Sequence, residues 1–160
     1  MDATLCREHF AELLREELQL LGQLQKMLED ERGVIAAGDL KALQRSTELR
    51  QERMTALAST EAQRRSLCTM HGQTADAAGI ERLLKWCDPR ASLAALLQEC
   101  RVGALRCREL NDRNGLMVGA RLKRVDERLQ ALRGRADRGA TYGPRGDLAR
   151  SPAGRILGAV

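Results

Sequence analysis

The sequence predicts an all-α protein: an elongated antiparallel helical bundle or coiled coil of three long helices and one short one, with a flexible C-terminal tail. Three observations carry this. Aromatic residues are 2% of the 160 residues, and Phe10, Trp86 and Tyr142 are the whole set. β-Sandwiches and barrels lean on aromatic and β-branched side chains, and this chain is short of both. Only three prolines interrupt the sequence, and apolar residues recur at seven-residue intervals from its first segment onward.

The first segment sets Leu13, Leu20, Met27 and Val34 in one column and Leu14, Leu21, Leu28 and Ile35 in the next. A third column alternates Phe10 and Leu24 with Glu17 and Glu31. Adjacent columns make one wide apolar stripe on a long helix. Thr4 is placed to cap its start. Gly38 marks its end, and Asp39 is suited to cap the next helix, so the first two helices form an antiparallel hairpin.

The second helix is expected over residues 40–70, with a seam of Leu40, Leu43, Thr47, Arg50, Met54, Leu57 and Glu61. The seam turns polar beyond Leu57, which predicts a thin or frayed tip away from the main core. A glycine- and polar-rich connection, residues 71–79, leads to a short helix over 80–87. Asp88-Pro89 reads as a helix start, with aspartate as the cap and proline at the first helical position.

From there a third long helix is expected to run to Arg133. Its seam is Leu93, Leu96/Leu97, Cys100, Ala104, Cys107, Leu110, Asn114, Met117, Val125, Leu129 and Leu132. Residues 134–160 hold glycine, proline and arginine without any helical or strand period. The expected division is a helical domain, residues 1–133, and a basic, glycine-rich tail, residues 134–160.

The net charge is +5, unevenly spread. Residues 1–37 carry four basic and eight acidic side chains, whereas residues 89–160 carry fifteen basic and seven acidic ones, a net of +8. The basic half raises a second reading, a nucleic-acid-associated helical protein. Interleaved acids, few aromatics and the lack of a groove-reading motif argue against nucleic acid as a partner. A self-associating coiled coil is a third reading.

No apolar run is long enough to span a membrane, and the first residues do not read as a secretory signal, so a cytoplasmic location is expected. The five cysteines are odd in number, lack a CxxC pair and lie far apart, which favours small buried hydrophobes over disulfides or zinc. No arrangement of nucleophile, base and orienting group stands out, so neither an enzyme nor a cofactor or metal is expected. The acid clusters Glu16-Glu17 and Glu29-Asp30-Glu31 read as a solvated helix face.

One stretch of the third helix breaks its own rule: CRELNDRNGLMVGARLKR. Gly103, Gly115 and Gly119 each cost about 1 kcal/mol relative to alanine inside a helix. Either this is a soft segment that leaves Leu116, Met117 and Val118 open to a partner, or the glycines admit a closely packed neighbour.

The helix-one pattern LxxLLxxExxxLxxL, the Leu-Asn-x-x-Asn-Gly motif (Leu110, Asn111, Asn114, Gly115) and the Tyr-Gly-x-x-Gly motif (Tyr142, Gly143, Gly146) together resemble the FlgN family. The resemblance covers nearly the whole chain. It implies a cytoplasmic chaperone of flagellar type III export that holds hook–filament junction proteins by their C-terminal amphipathic helices and presents them to the export gate at the inner membrane. Client-binding residues implied by the resemblance are Leu110, Asn111, Asn114, Gly115, Leu116, Met117, Val118, Leu122, Val125, Leu129 and Leu132. Tyr142, with Gly143 and Gly146, would dock to the gate. The sequence departs from the family in placing Leu116 where an aromatic can follow Asn-Gly, and in its choice of tail cations.

Overall fold

The first helix, α1 (Ala3–Ala37), is capped by Asp2, whose carboxylate accepts the amide of Leu5 at 2.8 Å. Thr4, the expected cap, lies within the first turn instead; a carboxylate two residues earlier supplies the acceptor. At the other end Gly38 takes a left-handed conformation (φ 77°) and its N–H closes on the Val34 carbonyl. Asp39 then caps α2 (Leu40–Met70) through the amide of Ala42 at 3.0 Å. One glycine and one aspartate thus reverse the chain, and α2 packs along α1 as the expected hairpin.

The computed structural model describes residues 2–137, 141–142 and 148–149, with the side chains of residues 2–133. Among these residues it is all-α in class, with four helices. The chain divides into two units, Met1–Met117 and Val118–Val160. In the first, Phe10, Leu14, Leu21, Leu24 and Leu28 of α1 form the spine of one apolar core.

The far end of α2 overturns the expectation of a frayed tip. Thr60, Leu67 and Cys68 are buried, whereas Leu40 and Met54, at the supposedly stronger end of the seam, are largely exposed. The reason is tertiary. The short helix α3 (Ala77–Cys87) closes over this end, placing Leu83 and Cys87 in the same core as Cys6, Leu67 and Cys68. Thr60 meets its own hydroxyl requirement by donating to the Ala56 carbonyl at 3.2 Å.

α3 begins three residues ahead of the expected Ile80, because Asp76 caps it through the amide of Gly79 at 2.7 Å. A side chain at Gly79 would collide with the Thr74 carbonyl oxygen, leaving glycine as the residue that fits.

α4 (Ala94–Asp137) starts five residues later than Pro89. Asp88 ends α3 instead of starting α4: its N–H bonds the Leu84 carbonyl. Its carboxylate accepts the Ser92 hydroxyl at 2.6 Å and the Leu93 amide at 2.8 Å. Ala91 sits in the left-handed region (φ 53°), which breaks the helical path between Pro89 and Ala94. Opposing its burial, the bonds from Ser92 and Leu93 hold the Asp88 carboxyl below the usual range.

The second unit contains the remainder of α4, four residues beyond the expected end at Arg133, and a two-residue antiparallel pairing. In it β1 (Thr141–Tyr142) faces β2 (Leu148–Ala149), with Thr141 opposite Ala149 and Tyr142 opposite Leu148. Much of the expected tail, including Gly143 and Gly146, lies outside the described residues.

Candidate functional site: the α4 helix and its anchorage

Three side chains one heptad apart fasten α4 to α1. The Cys100 and Cys107 thiols donate to the carbonyls of Leu14 and Leu21 at 3.3 and 3.4 Å, and the Asn114 amide donates to that of Leu28 at 2.8 Å. Each partner in α1 is also one heptad from the last, so α4 runs parallel to α1 in the first unit. Small polarisable thiols fit where a leucine would hold the helices apart. Burial pushes the Cys6 thiol up to about 12 and that of Cys100 up to about 11, with neighbouring Cys87 and Glu17 adding to the respective shifts. They are neutral packing groups.

The Leu-Asn-x-x-Asn-Gly motif has a structural explanation at this point. Asn114, 3% exposed, also donates to Glu31 at 3.0 Å, and Glu31 is itself 2% exposed. The Glu31 carboxylate further accepts Arg50 at 3.2 Å and the Ser46 hydroxyl at 3.4 Å, both from α2. Arg50 also donates to Asn111 at 3.4 Å. One buried carboxylate thus ties three helices together, and both asparagines of the motif belong to its network. Leu110 is buried beside it against α1.

The expectation of a solvated acid face is corrected at two positions. Glu31 is buried, and Glu17 is partly buried in an ion pair with Arg64 of α2. Burial pushes the Glu17 carboxyl up, against the pull of Arg64. The signal was present in the third column of α1, where acids alternate with Phe10 and Leu24. Arg50 in the α2 seam was its complement.

The glycines separate into two kinds. A side chain at Gly103 would lie 3.4 Å from Leu21, in ordinary contact with α1. At Gly115 and Gly119 it would meet nothing within 4 Å, so close helix packing does not explain either. Leu116, next to Gly115, is 76% exposed, while Met117 is partly buried.

In the second unit the apolar residues of α4 follow a strict pattern. Val118, Leu122, Val125, Leu129 and Leu132 are spaced alternately four and three apart, the repeat that presents one seam to a facing helix. Val118 is half-buried; Leu122, Val125, Leu129 and Leu132 are 47–65% exposed. Arg121, Lys123, Arg124 and Arg128 interleave with them. Tyr142 lies in β1.

Among the described residues no group of histidine, cysteine, aspartate or glutamate could hold a metal ion, and no helix is long and apolar enough to cross a membrane. The first unit spends its buried polar chemistry on fastening helices to one another, and the second carries an exposed heptad seam. The FlgN protein family model matches residues 6–150, and the chain belongs to that family: flagellar export chaperones, not enzymes, whose partners are flagellar proteins. No curated protein and no solved structure matches it.

Proposed function

We propose that the protein is a cytoplasmic export chaperone that holds the C-terminal amphipathic helices of hook–filament junction proteins and delivers them to the type III export gate. The observation that supports this reading best is the exposed seam of Leu122, Val125, Leu129 and Leu132, with Val118 at its head. Its four-three spacing matches what an amphipathic client helix would need opposite it. Covering four or five such side chains yields on the order of 6–15 kcal/mol gross. Association and ordering costs remove much of that, leaving reversible binding in the micromolar to sub-micromolar range, as a carrier requires.

Leu116 and Gly115, exposed in the first unit, are proposed client contacts separate from that seam. In this reading Leu110, Asn111 and Asn114 serve the client indirectly, by fixing α4 on α1 and α2. Tyr142 is the proposed gate anchor, used while the client stays bound.

Co-expression with the junction proteins tests the reading. Leu129→Asp with Leu132→Asp should abolish client co-purification. Tyr142→Ala should leave it intact and weaken binding to the gate. Unchanged capture by the aspartate variant would remove the seam from the account. Loss of capture in Tyr142→Ala would remove the division into two sites.

A further inference from the structure

The charge of the chain is segregated between its two units. Met1–Met117 carry seventeen basic and eighteen acidic side chains, a net of −1, whereas Val118–Val160 carry ten and four, a net of +6. On α4 in the second unit the cations are also ordered. Arg121, Arg124 and Arg128 recur at three and four residues, the repeat of the apolar seam itself, so they form a stripe that runs beside it. At about 100° per residue they lie roughly 60–120° round the helix from the centre line of the seam. Arg133 flanks the seam on the other side, near Asp126, and Glu127 falls on the opposite face. All of these are exposed, and Arg124 and Arg128 make no ion pair among the described residues.

This pattern discriminates between occupants of the seam. A nucleic acid would take up the cations and leave the leucines in water. A second copy would meet its own charge. In an antiparallel pair Arg121 and Arg128 would face the same two arginines. In a parallel pair Arg128 would face Arg133, and only Arg121 would find an acid, Asp126. An anionic bilayer surface satisfies both halves at once. Its acyl boundary takes the apolar side chains, its phosphates take the cations, and the face bearing Glu127 stays in water. The long arginine stems let the charged heads stay at headgroup level while the seam is covered. The seam runs about four turns, roughly 21 Å, along one side of the helix only, which suits a helix lying in the surface plane and not one crossing it.

We infer that residues 118–133 of α4 form a membrane-surface helix. Val118, Leu122, Val125, Leu129 and Leu132 enter the headgroup–acyl boundary of an anionic phospholipid bilayer, and Arg121, Arg124 and Arg128 bind its phosphates. The inference does not rest on the chaperone reading. A client helix and a membrane would cover the same side chains, so each excludes the other.

Co-sedimentation of the full-length protein with vesicles tests it. One set is pure phosphatidylcholine; the other holds about one-third phosphatidylglycerol. The anionic vesicles should bind about tenfold or more tighter, and raising salt from about 0.1 M to about 0.5 M should remove most of that gain. Arg124→Gln with Arg128→Gln should weaken binding to the anionic vesicles about tenfold. Leu122→Asp with Leu129→Asp should abolish it. Leu129→Trp in a Trp86→Phe background puts the chain's only tryptophan on the seam. Its emission should shift to the blue with anionic vesicles and stay unchanged with neutral ones. Circular dichroism of each variant confirms that the exposed residues are not needed for folding. Equal binding to the two vesicles, binding that survives the aspartate variant, or a tryptophan that does not shift would each overturn the inference. The second of these would mean that the cations act alone, as they would on nucleic acid. A solution dimer that the aspartate variant disperses would overturn it too, because the seam would then be held by a second copy.

Discussion

Asn114 of α4 donates its side-chain amide to the carboxylate of Glu31 of α1 at 3.0 Å, and neither residue reaches solvent to any extent. Arg50 completes the site from α2. A buried carboxylate is tolerated only when charge and hydrogen bonds both reach it. Arg50 supplies the charge; Asn114 and Ser46 supply neutral donors.

Removing either kind of partner should therefore destabilise the first unit. Asn114→Ala leaves an acceptor short of a donor and should cost about 1–3 kcal/mol. Arg50→Ala leaves the carboxylate without its cation. Because Arg50 is partly solvent-exposed, its loss should also cost about 1–3 kcal/mol, below the figure for a fully buried pair. Urea denaturation followed by circular dichroism checks both. Glu31→Gln should make the Arg50→Ala loss much smaller, since no buried charge remains to be stranded.

The cysteines provide a pH prediction. Burial holds the Cys6 thiol at about 12 and that of Cys100 at about 11, against an unfolded value near 9. The folded chain keeps these protons where the unfolded chain loses them. Their stabilisation is complete below about pH 9 and is lost as pH rises toward those folded values, by up to about 1.4 kcal/mol per pH unit for each thiol. Chemical denaturation between pH 8 and about pH 11 should show stability falling, and Cys100→Ala should reduce the slope. All five cysteines are buried, so a thiol reagent at neutral pH should label them only after denaturation.

Gly115 and Gly119 should respond to alanine in the opposite sense to most substitutions. Both sit inside α4 with open space where a side chain would go. Each alanine should raise stability by about 0.5–1 kcal/mol, measured as a shift in Tm. Gly79→Ala, aimed at the Thr74 carbonyl, should lower it.

The parts of this fold legible in the sequence are those dictated locally. Gly38 and Asp39 end one helix and begin the next by their own conformational preferences, and the leucine columns of α1 need no partner to be recognised. What failed depended on distant residues. Thr60 and Cys68 do not read as core until α3 closes over them. Asp88 looks like the start of a helix because its carboxylate does cap amides, but it caps a turn that Ala91 bends out of helical geometry. Glu31 read as solvated because its cation and donors come from 15–83 residues away. At the candidate site the seam of α4, Leu110 and Asn114 included, was readable from spacing alone, whereas the bonds from Asn114 to Glu31 and the Leu28 carbonyl were not.

The buried native cysteines allow a direct test of the open seam. A Leu129→Cys variant carries one thiol in a position where the native residue is 47% exposed, against a silent background. Maleimide labelling of the free, monomeric protein should modify that thiol rapidly, and a bound junction-protein helix should protect it. A thiol that stays unreactive in the free monomer, or that reacts as fast with client bound as without, would contradict the account.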